Sequence, residues 1–422
     1  LRATVARHVM LAFCLLSSGL KPQFLVLFSS FTNPATALSL GASLLLLNGV
    51  VPRAQAQRIG LVRTAASAFL VTSDDDSGAG TLRQAILDTN ASPGTDTIAF
   101  AIGSGPCTIR PERDLPEITD SVAIDGRTQP GYQGRPIVEL DGSNDDVFGA
   151  AILVSASGST VAGLVINRFD TGIYLDETTG VRIVNNYIGT NLDGTEASPN
   201  SSGIVLNQCV NTTIGGVEPA DRNVLSGNRH FGLRIEYGPD DMAGNVVRGN
   251  FIGTDAAGTA DLGNGMSGIE IHDSVGNIIG GREPGAGNVI SGNGGSLEYG
   301  GGGIQIHGSE DVDDVESTTT IEGNRIGTDL SGVLPLGNDG SGIAVLVSGP
   351  LVVGGTEPGA GNILAFNGGA GVYTNDRGVK VFGNSMFGNR GGGIAHHPSL
   401  DVPRPTITSV ANSGNEIRIR GA

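Results

Sequence analysis

The sequence lacks tryptophan, has only three cysteines and is poor in charge: aromatic residues make up 5% and charged residues 16% of its 422 residues. No pair of cysteines has a metal-type spacing, which argues against a cysteine-based zinc or iron–sulfur site. A hydrophobic share of 39% with so few charges excludes an intrinsically disordered chain. Positive charge is also scarce, with 25 Lys and Arg against 42 Asp and Glu, and the net charge of -17 argues against nucleic-acid binding.

Glycine is the residue in excess, with 68 copies. It has no strict Gly-X-Y period, and only 19 prolines accompany it, so a collagen triple helix is excluded. Because glycine destabilises helix interiors, a mainly helical fold is also disfavoured. The composition therefore predicts an ordered, turn-rich protein dominated by β-structure.

Residues 1–56 contain basic residues but no acidic ones, and they have the features of an export signal. Two apolar runs follow the basic start, and Ala54-Gln55-Ala56 matches an A-x-A cleavage site. A retained membrane anchor is the alternative, although polar residues interrupt the apolar stretch. We predict a targeting segment over 1–56 and a protein that is secreted or displayed at the outer cell surface. After cleavage Cys107 and Cys209 would remain, and the sequence leaves open whether they pair.

Internal repeats predict the architecture. A Gly-Gly-x-Glu-Pro motif begins at Gly215, Gly280 and Gly354, and an Ile-Gly-Thr unit recurs between these copies. Three short apolar runs fit each repeat, which predicts a parallel β-solenoid whose stacked coils share one core. A glycine followed by an apolar residue opens each coil, at Gly172, Gly203, Gly232, Gly268, Gly303, Gly342, Gly371 and Gly393.

The corners, loops and ends of the solenoid also have sequence signals. Glycine and asparagine are expected at corners with left-handed backbone, and Asn228, Asn293 and Asn367 are expected to stack as a ladder. Inserted loops at 191–202, 255–267 and 329–341 are expected to share one edge. A helix over Thr81–Asn90, begun by a capping box of Thr81 and Gln84, is predicted to cap the N-terminal end.

The predicted organisation has four parts. A linker and the capping helix occupy 57–92 after the targeting segment, and the β-helix repeats occupy 93–400. The start of a truncated C-terminal β-domain follows at 401–422, where two short period-2 strands are expected.

Two stretches of sequence resemble known families. The run Ser77-Gly-Ala-Gly-Thr-Leu-Arg-Gln-Ala-Ile86 resembles the N-terminal CSLREA-type domain of exported bacterial repeat proteins, without the cysteine of that signature. The later Ile-Gly-Thr-Asp and Gly-Asn-Val-Ile-Ser-Gly-Asn units resemble repeats of the pectin-lyase-like superfamily, and the stretch after Pro403 resembles the opening of an immunoglobulin-like module.

This resemblance covers roughly residues 71–400. It implies an all-β fold, a right-handed single-stranded parallel β-helix with three short strands per coil. It says little about activity, because most members are surface or secreted proteins of unknown role. A minority of the superfamily are polysaccharide lyases or glycosidases.

Aligning the strand after each opening glycine brings five polar residues together on one outward face: Arg234, Glu236, Glu270, His272 and His307. Carboxylates beside an imidazole and a guanidinium could perform acid–base chemistry on a bound saccharide. The alternative is an ordinary polar solenoid surface on which Arg234 pairs with Glu270. With no tryptophan, the face has only tyrosines as platforms for sugar rings.

Acidic residues in the loops are weak candidates for Ca²⁺ binding, because hard cations prefer oxygen ligands. The candidates are Asp311, Asp313, Asp314, Asp255 and Asp329. Solvated charged loops are the alternative interpretation. No other cofactor is predicted, and a G-x-G-x-x-G match at Gly263–Gly268 lacks the strand and helix that a nucleotide site requires.

The sequence thus favours a monomeric secreted or cell-surface β-helix with a structural, adhesive or glycan-binding role. The expected partner is an extracellular polysaccharide or another surface component. A polysaccharide lyase or glycoside hydrolase is the alternative, and a groove flanked by the inserted loops would favour it.

Overall fold

The structure is a computed structural model. It describes residues 67–144, 149–238, 243–294, 302–308, 317–346, 350–375 and 378–398, and the backbone of 407–413 and 416–421. Within these ranges the chain forms three parallel sheets of 11, 10 and 9 strands. Successive strands along the chain pass from one sheet to the next, and each strand pairs with the equivalent strands of neighbouring coils. The predicted all-β, right-handed parallel β-helix is confirmed.

Each sheet takes one strand from each coil. Sheet 1 consists of Ala68–Val71, Asp96–Phe100, Val122–Asp125, Thr160–Ala162, Arg182–Val184, Thr213–Gly215, Val246–Arg248, Ile278–Gly280, Thr319–Glu322, Leu351–Gly354 and Val379–Phe382. Sheet 2 consists of Cys107–Ile109, Val138–Asp141, Leu164–Asn167, Tyr187–Ile188, Val224–Leu225, Phe251–Ile252, Val289–Ile290, Arg325–Ile326, Ile363–Ala365 and Ser385–Phe387. Sheet 3 consists of Ala150–Val154, Thr171–Asp176, Ser202–Asn207, Leu233–Glu236, Ile269–His272, Ile304–His307, Ile343–Val345, Val372–Thr374 and Ile394–His396.

One hydrophobic core runs along the inside of the coils. Strand side chains alternate between the two faces, so in the strand Ile269–His272 the two isoleucines are fully buried while Glu270 and His272 face outward. The same alternation repeats in neighbouring coils and stacks isoleucine, leucine and valine into continuous inward columns. Because no single coil could bury its apolar face alone, the stack is the unit of stability.

Asparagine side chains form two ladders inside the corners, and in each ladder every Nδ2 donates a hydrogen bond to Oδ1 of the asparagine in the next coil. The predicted stacking of Asn228, Asn293 and Asn367 is confirmed, but they alternate with Asn264 and Asn338 from the inserted loops. The first ladder contains Asn186, Asn223, Asn250, Asn288, Asn324, Asn362 and Asn384. The second ladder contains Asn200, Asn228, Asn264, Asn293, Asn338, Asn367 and Asn389.

The opening glycines are required for a reason that the sequence interpretation missed. Their backbone is not left-handed; instead, each from Gly172 to Gly371 lies directly against the opening glycine of the next coil. A Cβ at Gly203 would approach the carbonyl oxygen of Gly232 to 2.3 Å, and one at Gly232 would approach that of Gly268 to 2.8 Å. The sequence analysis expected a glycine at each coil opening without giving its reason, and the structure shows that it allows close approach of the coils.

Two kinds of coil alternate in the middle of the solenoid, from the strand Arg182–Val184 to the strand Ile363–Ala365. One kind carries an inserted loop between sheets 2 and 3, and these loops stack: the N–H of Ala256 donates to the carbonyl of Gly194, and that of Leu330 to Gly258. The other kind carries a Glu-Pro turn between sheets 1 and 2. These turns also stack, because the Cα of Gly285 lies against the carbonyl of Val217.

The N-terminal end is covered by the helix Leu82–Asn90, which buries Leu82, Ala85 and Ile86 as predicted. The Thr81 hydroxyl accepts a hydrogen bond from the Gln84 N–H at 3.3 Å. The Gln84 amide instead donates to Asp88 at 2.8 Å, so only half of the predicted capping box forms. Sequence reasoning missed the strand Ala68–Val71, which precedes the helix and pairs with Asp96–Phe100.

The last coil leaves apolar side chains exposed, among them Phe382, Phe387 and Ile394. Further along, Ile407–Ser413 and Glu416–Gly421 form an antiparallel hairpin, which matches the two predicted period-2 strands. Cys107 and Cys209 are both free thiols. In the described part of the chain, no helix has the length and hydropathy needed to cross a membrane.

Candidate functional site

The outward side of sheet 3, here called the sheet 3 face, brings the predicted site residues together. Arg234 is paired in register with Glu270, Glu236 with His272, and His272 with His307. The alignment predicted from the opening glycines is therefore correct at these positions. Because each coil adds a strand, equivalent side chains lie ~4.8 Å apart along the stack.

Arg234 lies between two carboxylates. Its Nε is 2.8 Å from Oε2 of Glu270 on the next coil and 3.0 Å from Oε2 of Glu236 on its own strand. The Nε–H does not point at Glu270 with hydrogen-bond geometry, so this contact is mainly electrostatic. Arg234 also lies over the Phe231 ring, with Cζ 5.7 Å from the ring centroid.

The carboxylate of Glu270 has little contact with solvent, since its side chain is only 13% exposed. Burial raises the pKa of Glu270 above its ordinary value, and the positive charge of Arg234 opposes this shift without cancelling it. His307 approaches the same carboxylate from the following coil, with Nε2 3.8 Å from Oε1. Glu270 therefore lies between a cation on one side and an imidazole on the other.

Two histidines and a tyrosine extend the face. The rings of His272 and His307 meet edge to face with centroids 6.1 Å apart, and the Tyr237 ring is 5.3 Å from His272. Burial lowers the pKa of His307, and His272 and Arg234 lower it further, whereas Asp273 acts in the opposite direction. At neutral pH the His307 imidazole is therefore uncharged and can both donate and accept hydrogen bonds.

The residue after each sheet 3 strand adopts a left-handed backbone in four consecutive coils. These residues are Glu177, Gln208, Tyr237 and Asp273, with φ of 51°, 53°, 53° and 48°. Each such conformation costs a non-glycine residue roughly 1–2 kcal/mol. The sequence interpretation missed them because it expected glycine or asparagine at left-handed corners.

The face continues towards the N-terminal coils. Tyr174 and Asp176 occupy the equivalent positions there, and the Asn207 amide donates to Oδ1 of Asp176 at 2.7 Å. On the C-terminal side Gln305 accepts a hydrogen bond from Ser267 at 2.8 Å. On the sheet 3 face one outward column is thus polar across five coils, while Val205 interrupts the neighbouring column between Tyr174 and Arg234.

The inserted loops share one edge, as expected, and their glycines pack on side chains of sheet 2. The Cα of Gly194 lies against the Tyr187 ring and that of Gly258 against Phe251. Phe251, Val224 and Val289 form a small second core on the outer side of sheet 2. In the described ranges these contacts place the loops over the outer side of sheet 2.

Two of the calcium candidates have structural roles. Oδ1 of Asp255 accepts hydrogen bonds from the N–H groups of Thr259 and Ala260. In the same way, Oδ1 of Asp329 accepts from the Ser331 hydroxyl and from the Leu334 N–H of its own loop. Burial raises the pKa of Asp329, but these hydrogen bonds outweigh it and hold the pKa below its usual value. No group of three or more His, Cys, Asp or Glu in the described ranges could hold a metal ion. The other candidates, Asp311, Asp313 and Asp314, lie outside the described residues.

The three stacked parallel sheets place this protein in the class of parallel β-helices. No protein-family model matches the sequence. No curated protein matches it either.

Several solved structures have a similar fold. The Dettilon tailspike protein is 16% identical, with 80% of this chain and 71% of that chain covered and a TM-score of 0.35. An alginate lyase from a Paenibacillus species is 15% identical, with 78% and 99% covered and a TM-score of 0.31. The A-module of a mannuronan C-5 epimerase from Azotobacter vinelandii is 13% identical, with the same coverage and a TM-score of 0.35.

Proposed function

We propose that this protein is a secreted or cell-surface β-helix that binds a polysaccharide along the sheet 3 face. The observation that carries the proposal is the file of equivalent polar and aromatic side chains on consecutive coils. Their ~4.8 Å repeat along the stack is close to the length of one sugar unit in an extended polysaccharide. Carboxylate, amide, imidazole and phenol groups at this spacing suit recognition of successive hydroxyl groups.

We favour binding over catalysis because both carboxylates of this cluster already form ion pairs with an arginine. Glu236 and Glu270 both contact Arg234, which holds them as an ion-paired cluster. In the described ranges the inserted loops pack on sheet 2 through Gly194 and Gly258, an arrangement that suits a sheet 3 surface that accepts a long polymer. This arrangement supports an adhesive or display function.

The test is a binding screen of the full-length protein against a broad panel of polysaccharides. Tyr237 is the reporter residue, because its ring is 48% exposed and lies beside His272. Tyr237→Ala is expected to weaken binding about tenfold, as for loss of one stacking platform. Phe382→Ala is the matched control, since Phe382 is also an exposed aromatic residue, at 42%, but belongs to sheet 1. Failure to bind any polysaccharide, or equal losses in both variants, would contradict the proposal.

Export is the second part of the proposal. It rests on the uninterrupted absence of acidic residues over 1–56 and on the Ala54-Gln55-Ala56 site. Protein recovered from outside the producing cell is expected to begin after Ala56 by mass spectrometry. Recovery of the intact N-terminus from the cytoplasm alone would contradict it.

Glycoside hydrolysis is the second candidate, favoured by the raised pKa of Glu270. In this reaction Glu270 would give its proton to the glycosidic oxygen as the carbon–oxygen bond breaks. Glu236 would take a proton from the attacking water. New reducing ends that disappear in Glu270→Gln, with binding retained, would support hydrolysis over simple binding.

A further inference from the structure

We propose that the polysaccharide recognised by the sheet 3 face carries no acidic groups. This inference rests on the proposed function and concerns the same surface. It follows from the charges at the outward positions of the strands from Thr171–Asp176 to Ile304–His307 and at the residue that follows each strand. There the carboxylates are Asp176, Glu177, Glu236, Glu270 and Asp273, and the one guanidinium is that of Arg234.

The positive charge of Arg234 is already balanced by two carboxylates. Its Nε already contacts one carboxylate at 2.8 Å and another at 3.0 Å, and those two side chains are only 13% and 11% exposed. A ligand carboxylate that took Arg234 would leave Glu270 or Glu236 poorly hydrated and without its cation. Breaking such a pair is more costly than the new contact is favourable, because the displaced charge cannot return to water.

His307 does not supply a second cation at neutral pH, and Nε2 of His272 lies 3.4 Å from a carboxylate oxygen of Asp273. The groups that face His307 are Glu270, His272, Arg234 and Asp273. Burial is the largest influence on His307 and holds its pKa below the ordinary value, so its ring is neutral. An acidic polymer would therefore meet several fixed carboxylates and no free positive charge among these positions. Each like-charge contact at a separation of about 4 Å opposes binding, and more strongly where water is excluded.

The same groups suit neutral sugars. The ion-paired and hydrogen-bonded carboxylates keep free lone pairs that accept from hydroxyl groups, as the Asp176–Asn207 pair illustrates. The neutral imidazole of His307 and the amide of Asn207 can donate as well as accept. Tyr174 and Tyr237 offer apolar ring faces to the C–H side of a sugar. Recognition of this kind needs no charge on the ligand.

The experiment compares polymers that differ only in charge, using the full-length protein. Suitable pairs are polygalacturonate with its methyl ester, and dextran sulfate with dextran. We expect the neutral member of at least one pair to bind about tenfold or more tightly at low salt. The difference should shrink as salt screens the carboxylates. Asp176→Asn removes a negative charge without touching Arg234 and should reduce the discrimination, while Glu322→Gln, at another corner, should not.

The outcomes separate the two proposals. Tighter binding of the acidic members, weakened by salt, would overturn this inference and leave polysaccharide binding intact. Equal binding of both members, unchanged by Asp176→Asn, would also overturn it. No binding to any polymer on the panel would refute the proposed function itself, and this inference with it.

Discussion

Arg234 and Glu270 occupy the same outward position on consecutive coils and form an ion pair, with Nε 2.8 Å from Oε2. Glu236 approaches the same nitrogen from the arginine's own strand. One guanidinium therefore balances two nearly buried carboxylates. The charge state and geometry of the sheet 3 face depend on this cluster.

Replacing Arg234 by glutamine should destabilise the protein by about 1–2 kcal/mol, because two carboxylates lose their common cation. The expected loss is smaller than for a fully buried pair, because the arginine is partly exposed and water screens its charge. The pKa of Glu270, which burial already raises, should rise further. Arg282→Gln is the control, since Arg282 makes a similar pair with Glu322 but is 55% exposed. Urea unfolding should show a change below about 0.5 kcal/mol for the control. Equal, small changes in both variants would mean that the Arg234 cluster contributes no stability.

His307 should make the protein lose stability on mild acidification. Its folded-state pKa is lowered, so below the ordinary value of 6.5 the unfolded chain binds the proton more readily than the folded one. The contribution of His307 to the free energy of unfolding is thus fully present above pH 6.5, and it is lost as the pH decreases towards the lowered pKa. His307→Gln should flatten the decline measured by denaturation between about pH 7 and pH 5.5, whereas His230→Gln, at an exposed corner, should not. Parallel curves for wild type and His307→Gln would contradict the assignment.

A substitution in the middle of an asparagine ladder should be severe. Asn288 accepts from the N–H and the amide of Asn250 and donates to Val247 and Asn324, all at 2.8–3.1 Å. Asn288→Ala leaves several of these buried groups without partners and should cost about 3 kcal/mol or more. Asn384 ends the same ladder and is only half-buried, so Asn384→Ala should cost about 1 kcal/mol. Thermal denaturation of both variants tests the difference, and similar losses would argue against a cooperative ladder.

The opening glycines provide a test of coil-to-coil contact. Gly203→Ala would place a Cβ 2.3 Å from the Gly232 carbonyl and should cost about 2–4 kcal/mol. Gly393 opens the last coil, and there the nearest atoms, both of Met386, lie at 3.5 and 3.6 Å. Gly393→Ala should therefore be close to neutral in the same unfolding experiment. A large loss of stability in Gly393→Ala would show that glycine is needed there for a reason other than close packing of the coils.

The architecture could be predicted from the sequence because two repeating patterns coincide there, the alternation within each strand and the recurrence of an opening glycine. Strand alternation places Ile269 and Ile271 inside, and the repeating opening glycine aligns strands of different coils. These two facts are enough to place Arg234 beside Glu270 without any knowledge of loops. The register between neighbouring coils depends on the alternation within each strand and on the position of its opening glycine, so it can be predicted from a single sequence.

The parts that were missed depend on contacts the repeat does not encode. Tyr237 adopts a left-handed corner although tyrosine rarely does, because the surrounding coils determine the turn. The placement of the inserted loops over sheet 2 follows from packing of Gly194 on Tyr187 and Gly258 on Phe251. A signal was present, since Gly194 and Gly258 follow their aromatic partners at the same spacing, at which Gly332 follows Arg325 in the third loop. It becomes meaningful only once the coil is closed.

The alternation of loop-bearing and turn-bearing coils has a consequence for how this solenoid can vary in length. Loop contacts such as that of Ala256 with Gly194 skip one coil, and so do the contacts between Glu-Pro turns. Loss or gain of a single coil would bring two coils of one kind together and break both stacks beyond that point. The module that can be duplicated or deleted without damage is therefore a pair of coils, and related chains should differ by even numbers of them.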